Sequence, residues 1–198
     1  PRADGVVNIH SEGYAPLTLS LDDLSVHEAE KGTTAALVRG VAARFAQLGC
    51  KIEGFDAYVT STVLPGSGLS SSAAFEVLLG TIVNMLFNAS AATPVQIAQI
   101  GQYAENVYFG KPCGLMDQTA SSVGNIIAID FADAEKPQVE RLDFDFESCG
   151  YCLCILDSGA DHAELTQEYA AIPQEMKAVA AVFGKNYLRE VDEAEFYA

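Results

Sequence analysis

Hydrophobic and polar residues follow two kinds of spacing along the chain, and each spacing predicts a different element. Alternation with period two predicts one or two strands over residues 5–21, around a Gly-Tyr-Ala-Pro turn, and another over residues 55–63. Apolar residues at helical spacing predict helices over residues 33–49, 73–87 and 93–109. Gly49 ends the first helix, and Thr93 caps the third with Pro94 in its first position. The third helix carries one apolar stripe, formed by Ile97, Ile100, Ala104, Val107 and Tyr108.

The second half of the chain predicts further short elements of both kinds. A shorter helix is predicted over residues 115–124, followed by strands over 126–131, 139–146 and 151–157. Residues 162–184 predict two helical pieces that meet near Pro173, and Asp192 begins a last helix. Because strands occur both beside one another and between helices, the pattern predicts an α+β fold.

The charge of the chain limits the partners that it can bind. Its 27 acidic residues against 11 basic ones give a formal net charge of −16. Such a field repels nucleic acid and anionic membranes, which bind clustered lysine and arginine. No stretch of about 18 uncharged apolar residues predicts a membrane span. A nucleotide would therefore have to be held by backbone amides and a divalent cation.

The five cysteines favour packing over metal binding. Three of them lie close together, in CGYCLC at residues 149–154. Structural zinc needs four ligands, and no second cluster of cysteine and histidine lies at suitable spacing. The apolar sequence YCLCIL is more typical of a buried strand, in which a reduced cysteine acts as a small hydrophobic residue. Reduced cysteines predict a cytoplasmic protein.

The stretch LPGSGLSSSAAFEVLLG, residues 64–80, places glycines and serines in front of an apolar helix. Glycine lets a ligand approach the backbone, and the first-turn amides of a helix can bind an anion without lysine. Serine hydroxyls in that turn could also bind Mg²⁺. A serine cap after an ordinary turn is the alternative. This stretch does not match a Walker motif, which requires Gly-Lys-Ser/Thr, because it contains no lysine. It does not match the nucleophile elbow G-x-S-x-G either, because Pro65 occupies the first glycine position.

Two motifs give the chain a more specific resemblance. GLSSSAAFEV resembles the second signature motif of the GHMP small-molecule kinases, and its three serines followed by F-E-V are similar to the galactokinases among them. YAENVYFGKPCGLMDQ, residues 103–118, is similar to the galactokinase segment that ends in Met-Asp-Gln. The resemblance continues through HAELTQEYAAIPQEM and LREVDEAEF. It implies a GHMP kinase N-terminal domain over residues 1–148 and the start of an α/β C-terminal domain over residues 149–198.

The resemblance also implies roles for single residues. Asp117 corresponds to the catalytic aspartate, which accepts the proton of the anomeric hydroxyl or orients it; the alternative is an N-cap. Ser71 or Ser72 together with Glu105 would bind Mg²⁺, and Glu105 is expected to be partly buried. Gly114, Asp117 and Tyr169 would contact galactose. The residues implied to bind ATP form one loop: Gly66, Ser67, Gly68, Leu69, Ser70, Ser71, Ser72 and Ala73.

Two expected motifs have no counterpart in the sequence. The N-terminal galactokinase signature, with its arginine and sugar-binding acidic residues, is not found, and neither is the glycine-rich third motif. The chain is therefore expected to be an internal piece of a longer protein whose remaining parts complete the site, and to be inactive or very weak alone. A sugar- and ATP-binding sensor without catalysis is one alternative. A related kinase acting on N-acetylgalactosamine, galacturonate or arabinose is another.

Overall fold

The computed structural model of the protein describes residues 1–63, 68–133, 135–156 and 166–197, and for residues 166, 167, 169 and 170 it describes the backbone only. The chain divides into two units, residues 1–159 and residues 160–198. The domain limit predicted at residue 148 stays a prediction. The mixture of helices and strands confirms the predicted α+β class.

A three-stranded sheet opens the first unit. Its strands are β1 (Val6–Ser11), β2 (Leu17–Ser20) and β3 (Phe55–Val59), in the spatial order β2-β1-β3. β1 runs antiparallel to β2 and parallel to β3, with helix α1 (Thr34–Gln47) in the connection between β2 and β3. Val7 and Ile9 of β1 are buried and His10 is exposed, which is the period-two alternation of a strand with one covered face.

The first unit also contains the α-helices α2 (Ser71–Phe87), α3 (Pro94–Tyr103) and α4 (Met116–Val123). Apolar side chains of α1, α2 and α3 form one buried cluster with the inner face of the sheet. The predicted start of α3 is confirmed: the side chain of Thr93 and that of Gln96 form a capping box, and Pro94 is the first helical residue. Gly49 has φ +73°, the left-handed conformation typical of a helix end.

The third predicted helix changes its form before it ends. Residues Ala104–Phe109 are π-helical, and the carbonyl of Glu105 accepts hydrogen bonds from the amides of Gly110 (3.0 Å) and Lys111 (3.1 Å). The extra residue in such a turn rotates the following side chains around the axis. Val107 is therefore 40% exposed, and its predicted place on the buried stripe is wrong.

A two-stranded antiparallel sheet follows α4, made of β4 (Ile126–Asp130) and β5 (Gln138–Leu142). The strand predicted at residues 151–157 is wrong for residues 151–156, which carry no regular secondary structure. Residue 157 lies outside the described residues. Leu153 is 76% exposed and Leu156 is 94% exposed. An apolar strand needs a neighbouring strand for its backbone and cover for both faces, and within the described residues none pairs with this segment.

The second unit contains helices α5 (Thr166–Val182) and α6 (Glu193–Phe196). The break predicted at Pro173 is wrong, because α5 continues through it. A proline removes one backbone hydrogen bond, and a helix of 17 residues keeps its others. The start of α6 is confirmed, since the side chain of Asp192 accepts hydrogen bonds from the amides of Ala194 and Glu195. Within the described parts of the chain, no helix is both long and apolar enough to span a bilayer.

Candidate active site

The serine turn, residues 70–72, lies at the start of α2. Ser70 was expected in the first helical turn; instead it precedes the helix, with φ +58° in the left-handed region, and the exposed Gly68 before it has φ +74°. The first amide of this region bonded within the helix belongs to Ala74, which donates to the carbonyl of Ser70 (3.1 Å). The amides of Ser71, Ser72 and Ala73 therefore have no acceptor inside the helix, which is the arrangement that binds phosphate at helix N-termini.

Asp117 reaches the serine turn from α4. It lies in the first turn of that helix, and its Oδ2 accepts a hydrogen bond from Ser70 Oγ (2.6 Å). Leu115 is the residue that precedes α4, so the alternative of an N-cap role for Asp117 is wrong. The carboxylate is exposed. It can therefore contact a ligand that lies in front of the serine turn.

Glu105 reaches the same turn from the π-helical segment. Its Oε1 accepts a hydrogen bond from Ser72 Oγ (3.3 Å), and its Oε2 accepts one from Gln118 Nε2 (3.0 Å). Glu105 is only 3% exposed, so its burial exceeds the partial burial that was expected. Lys111 is exposed, but its Nζ lies 3.9 Å from Glu105 Oε1.

Sequence reasoning missed two buried residues behind this turn. Glu76 on α2 is fully buried, and Gln118 on α4 is 1% exposed; Gln118 Nε2 donates to Glu76 Oε2 (3.1 Å). Burial, together with the charge of Glu105, raises the pKa of Glu76 to about 8. A signal was present, because Glu76 is the one charged residue in the apolar run AAFEVLLGTIVNMLF.

The thiol of Cys113 lies beside the same two carboxyl groups. Its Sγ is 3.5 Å from Gln118 Nε2, and burial followed by the charge of Glu105 raises the pKa of the thiol. A thiol that stays protonated is a poor nucleophile and a poor metal ligand. Cys113 therefore acts as a packing residue in this cluster.

The other predicted site residues have different outcomes. Gly66 and Ser67 lie outside the described residues, as does the side chain of Tyr169, whose backbone belongs to α5. Leu69 is exposed, whereas Ala73 is buried against the core. Gly114 is also exposed, and a Cβ built on it would meet no described atom within 4 Å. Among the described residues, none fills the space beside Gly114.

The donor set at the serine turn fits a hard cation shared with a ligand. Magnesium is usually bound by one or two protein oxygens together with substrate phosphates and water. Ser72 Oγ and Glu105 Oε1 supply two such oxygens within 3.3 Å of each other. Among the described residues no cluster of three or more histidine, cysteine, aspartate or glutamate residues could hold a metal by itself.

Comparison with known proteins gives the same family as the motifs. Residues 36–125 match the family described as GHMP kinases N terminal domain. The chain is 35% identical to the galactokinase of Streptomyces coelicolor over 100% of its own length and 51% of that relative. It is 30% identical to the galactokinase of Pyrococcus furiosus, over 96% of the chain and 52% of the relative. The chain thus spans about half the length of these curated relatives.

A solved structure shows the same fold. The chain matches a structure described as Lactococcus lactis galactokinase complexed with galactose, with a TM-score of 0.76 and 22% identity. The match covers 99% of this chain and 51% of that one. The family region at residues 36–125 contains the serine turn, Glu105 and Asp117. Over residues 36–125 the chain belongs to the GHMP kinases, and the curated proteins that it resembles along its length are galactokinases.

Proposed function

We propose that the chain is the nucleotide-binding part of a galactokinase-type sugar kinase, which transfers the γ-phosphate of MgATP to the anomeric hydroxyl of galactose. One observation carries this proposal: the serine turn hydrogen-bonds Asp117 through Ser70 and Glu105 through Ser72. Both carboxylates therefore lie beside the helix start that is suited to bind phosphate. The galactokinases that the chain resembles support the choice of sugar.

Each group has a defined task in the proposed reaction. The amides at the start of α2 bind the phosphates of ATP, and Ser72 and Glu105 hold Mg²⁺. When bound, that cation offsets the charge that builds up on the phosphate oxygens. Asp117 accepts the proton of the anomeric hydroxyl, or orients that hydroxyl, while the sugar oxygen bonds to the γ-phosphorus and ADP leaves. Gly114 and Tyr169 stay predicted sugar contacts. We place the protein in the cytoplasm.

We also propose that the 198-residue chain by itself has little or no activity. The sequence has no counterpart of the arginine that would pair with Asp117, or of the acidic residues that would accept hydrogen bonds from the sugar. In the described structure the hydrogen bond of Asp117 comes from a neutral hydroxyl, that of Ser70. A neutral donor stabilises a carboxylate less than a cation does.

The test is to incubate two proteins with MgATP and a panel of sugars: the 198-residue chain, and a longer protein that carries it. Galactose 1-phosphate is followed by ³¹P NMR. We expect the longer protein to phosphorylate galactose and the shorter one to form little product. Robust product from the 198-residue chain would overturn the proposal of inactivity. Sugar and nucleotide binding by the longer protein without turnover would instead support a sensor.

A further inference from the structure

A buried bridge joins α2, the π-helical segment and α4 behind the serine turn. The bridge consists of Glu76, Gln118 and Glu105, with the side-chain amide of Gln118 in the middle. It donates to Glu76 Oε2 at 3.1 Å and to Glu105 Oε2 at 3.0 Å. All three side chains are at most 3% exposed. Buried polar groups at this depth are costly unless they are hydrogen-bonded, and Glu76 Oε1 and Gln118 Oε1 have no partner among the described residues. The two hydrogen bonds of the Gln118 amide are therefore the ones that join the three elements.

The backbone around the bridge leaves just enough room for it. A Cβ built on Gly101 of α3 would lie 3.0 Å from Glu76 Cβ and 3.2 Å from Glu76 Oε2. The glycine thus lets α3 pass close to the bridge. The π-helical segment carries Glu105, and single turns of this kind are frequent at functional sites.

The charges of the bridge need the amide between them. Glu76 and Glu105 would repel each other if both were ionised, and the side-chain amide of Gln118 lies between one oxygen of each. Each N–H of the Gln118 amide faces an oxygen of a different carboxyl group. Turning the amide around would set its oxygen against the carboxylate oxygen of Glu105 and remove that hydrogen bond. The orientation of Gln118 is therefore fixed mainly by Glu105.

The bridge divides the two oxygens of Glu105 between two tasks. Oε2 points to Gln118 in the interior, while Oε1 faces Ser72 Oγ and, 3.9 Å away, Lys111 Nζ. Without a donor on the inner side, the carboxylate could turn within its pocket and present neither oxygen steadily to the serine turn. Hydrogen bonds to a ligating carboxylate orient it in this way in metal sites generally.

We propose that Gln118 is a positioning residue for the metal ligand: its amide, anchored on Glu76, aims one oxygen of Glu105 at the hydroxyl of Ser72. This inference rests on the proposed function, because it takes Glu105 and Ser72 as the cation site. Gln118 itself is 1% exposed, so we expect it to act through Glu105 and not by contact with a ligand.

The first experiment measures the bridge without any ligand. In ¹H–¹⁵N spectra of the 198-residue chain, we expect the two side-chain N–H signals of Gln118 to exchange slowly with solvent and to shift in Glu105→Gln. Rapid exchange of both protons with solvent would show that the bridge does not exist and would overturn the proposal.

The second experiment measures the contribution of the metal to nucleotide binding. Calorimetry gives the affinity of the chain for the ATP analogue AMP-PNP with Mn²⁺ and with EDTA. We expect Gln118→Met, which has similar length but no donor, to reduce the gain in affinity due to Mn²⁺ by about 10- to 100-fold. Affinity for the metal-free analogue stays unchanged, which a general loss of structure would not produce.

Two further variants serve as controls. Gln99→Met removes a side-chain hydrogen bond to the carbonyl of Glu135 and leaves the bridge intact, so it should bind Mn²⁺ and AMP-PNP like the wild type. Glu76→Gln keeps an oxygen that accepts from Gln118 and should retain most of the gain due to Mn²⁺. A Gln118→Met variant with an unchanged gain would overturn the inference alone. A wild-type chain that binds no AMP-PNP would overturn the proposed function, and the inference with it.

Discussion

Asp117 and Glu105 both accept a hydrogen bond from the serine turn, but their surroundings are opposite. Asp117 is exposed, and its described hydrogen bond comes from Ser70. Glu105 is buried, with Ser72 and Gln118 bonded to separate oxygens. An exposed carboxylate can meet a substrate and exchange a proton with it, whereas a buried one keeps a fixed position. The comparison teaches that two serines at the start of one helix can hold an exposed carboxylate and a buried one, to which the proposed function gives different tasks.

The largest effect should follow from changing the exposed carboxylate. In a longer protein that phosphorylates galactose, we expect Asp117→Asn to lower kcat by about 10²- to 10⁴-fold, because the amide cannot accept the proton of the anomeric hydroxyl. The melting temperature should stay within a few degrees, since the side chain is exposed. Steady-state kinetics and thermal unfolding check both points. A kcat within threefold of the wild type would remove Asp117 from the chemistry.

Changing the buried residue Glu76 should instead alter the free energy of unfolding and its dependence on pH. In the wild type, Glu76 holds its proton up to about pH 8, whereas the unfolded chain releases it near pH 4.5. The free energy of unfolding should therefore fall as pH rises between these values, by about 5 kcal/mol at most. The groups that face Glu76 are Glu105, Cys113 and, farther out, Lys111. Glu76→Gln should remove this dependence and be more stable than the wild type at pH 8.

Urea unfolding at several pH values measures this dependence. The exposed Glu12→Gln is the matched control and should keep the pH dependence of the wild type. Arg39 lowers the pKa of Glu30, so that carboxyl group changes its charge below pH 4.5 and does not obscure the effect. Equal slopes in Glu76→Gln and the wild type between pH 5 and 8 would contradict the assignment.

Gly101→Ala should disturb the buried side through packing alone. The new methyl group would press on Glu76 at about 3 Å, which typically costs about 1–3 kcal/mol in the free energy of unfolding. Gly114→Ala adds the same group in open space, and its unfolding free energy should change by less than about 0.5 kcal/mol. Equal unfolding free energies for the two variants would contradict the close contact between Gly101 of α3 and the side chain of Glu76.

The smallest effect is expected at Ser70, on the exposed side. Its left-handed backbone costs a residue with a Cβ about 1 kcal/mol, and glycine avoids that cost. Both Ser70→Gly and Ser70→Ala lose the hydrogen bond to Asp117. We therefore expect the alanine variant to be less stable than the glycine variant by about 1 kcal/mol in urea unfolding. Greater stability of the alanine variant would show that the backbone at residue 70 is not left-handed.

The sequence predicted best what depends on local chemistry. The cap at Thr93, the stop at Gly49 and the start of α6 at Asp192 follow from hydrogen bonds within a few residues. The motifs identified Asp117 and Glu105 as candidate site residues, and in the structure both accept a hydrogen bond from the serine turn. Their roles stay predictions.

The sequence could not predict what depends on distant parts of the chain. The hydrogen bond of Glu76 comes from Gln118, 42 positions later in the chain. The spacing of apolar residues around Glu76 showed only that a charged residue lies in an apolar helix. The exposure of Val107 follows from the π-helical turn, which no spacing rule indicated. Residues 151–156 have the composition of a buried strand, but composition does not supply a neighbouring strand.

The central claim is that the amides at the start of α2 bind the phosphates of ATP. Titrating the ¹⁵N-labelled chain with Mg²⁺ and AMP-PNP tests it most directly, by the shifts of single backbone amides. The account predicts that the amides of Ser71, Ser72 and Ala73 shift more than any others. Saturable binding that leaves these three signals unmoved, with the largest shifts elsewhere in the chain, would contradict it.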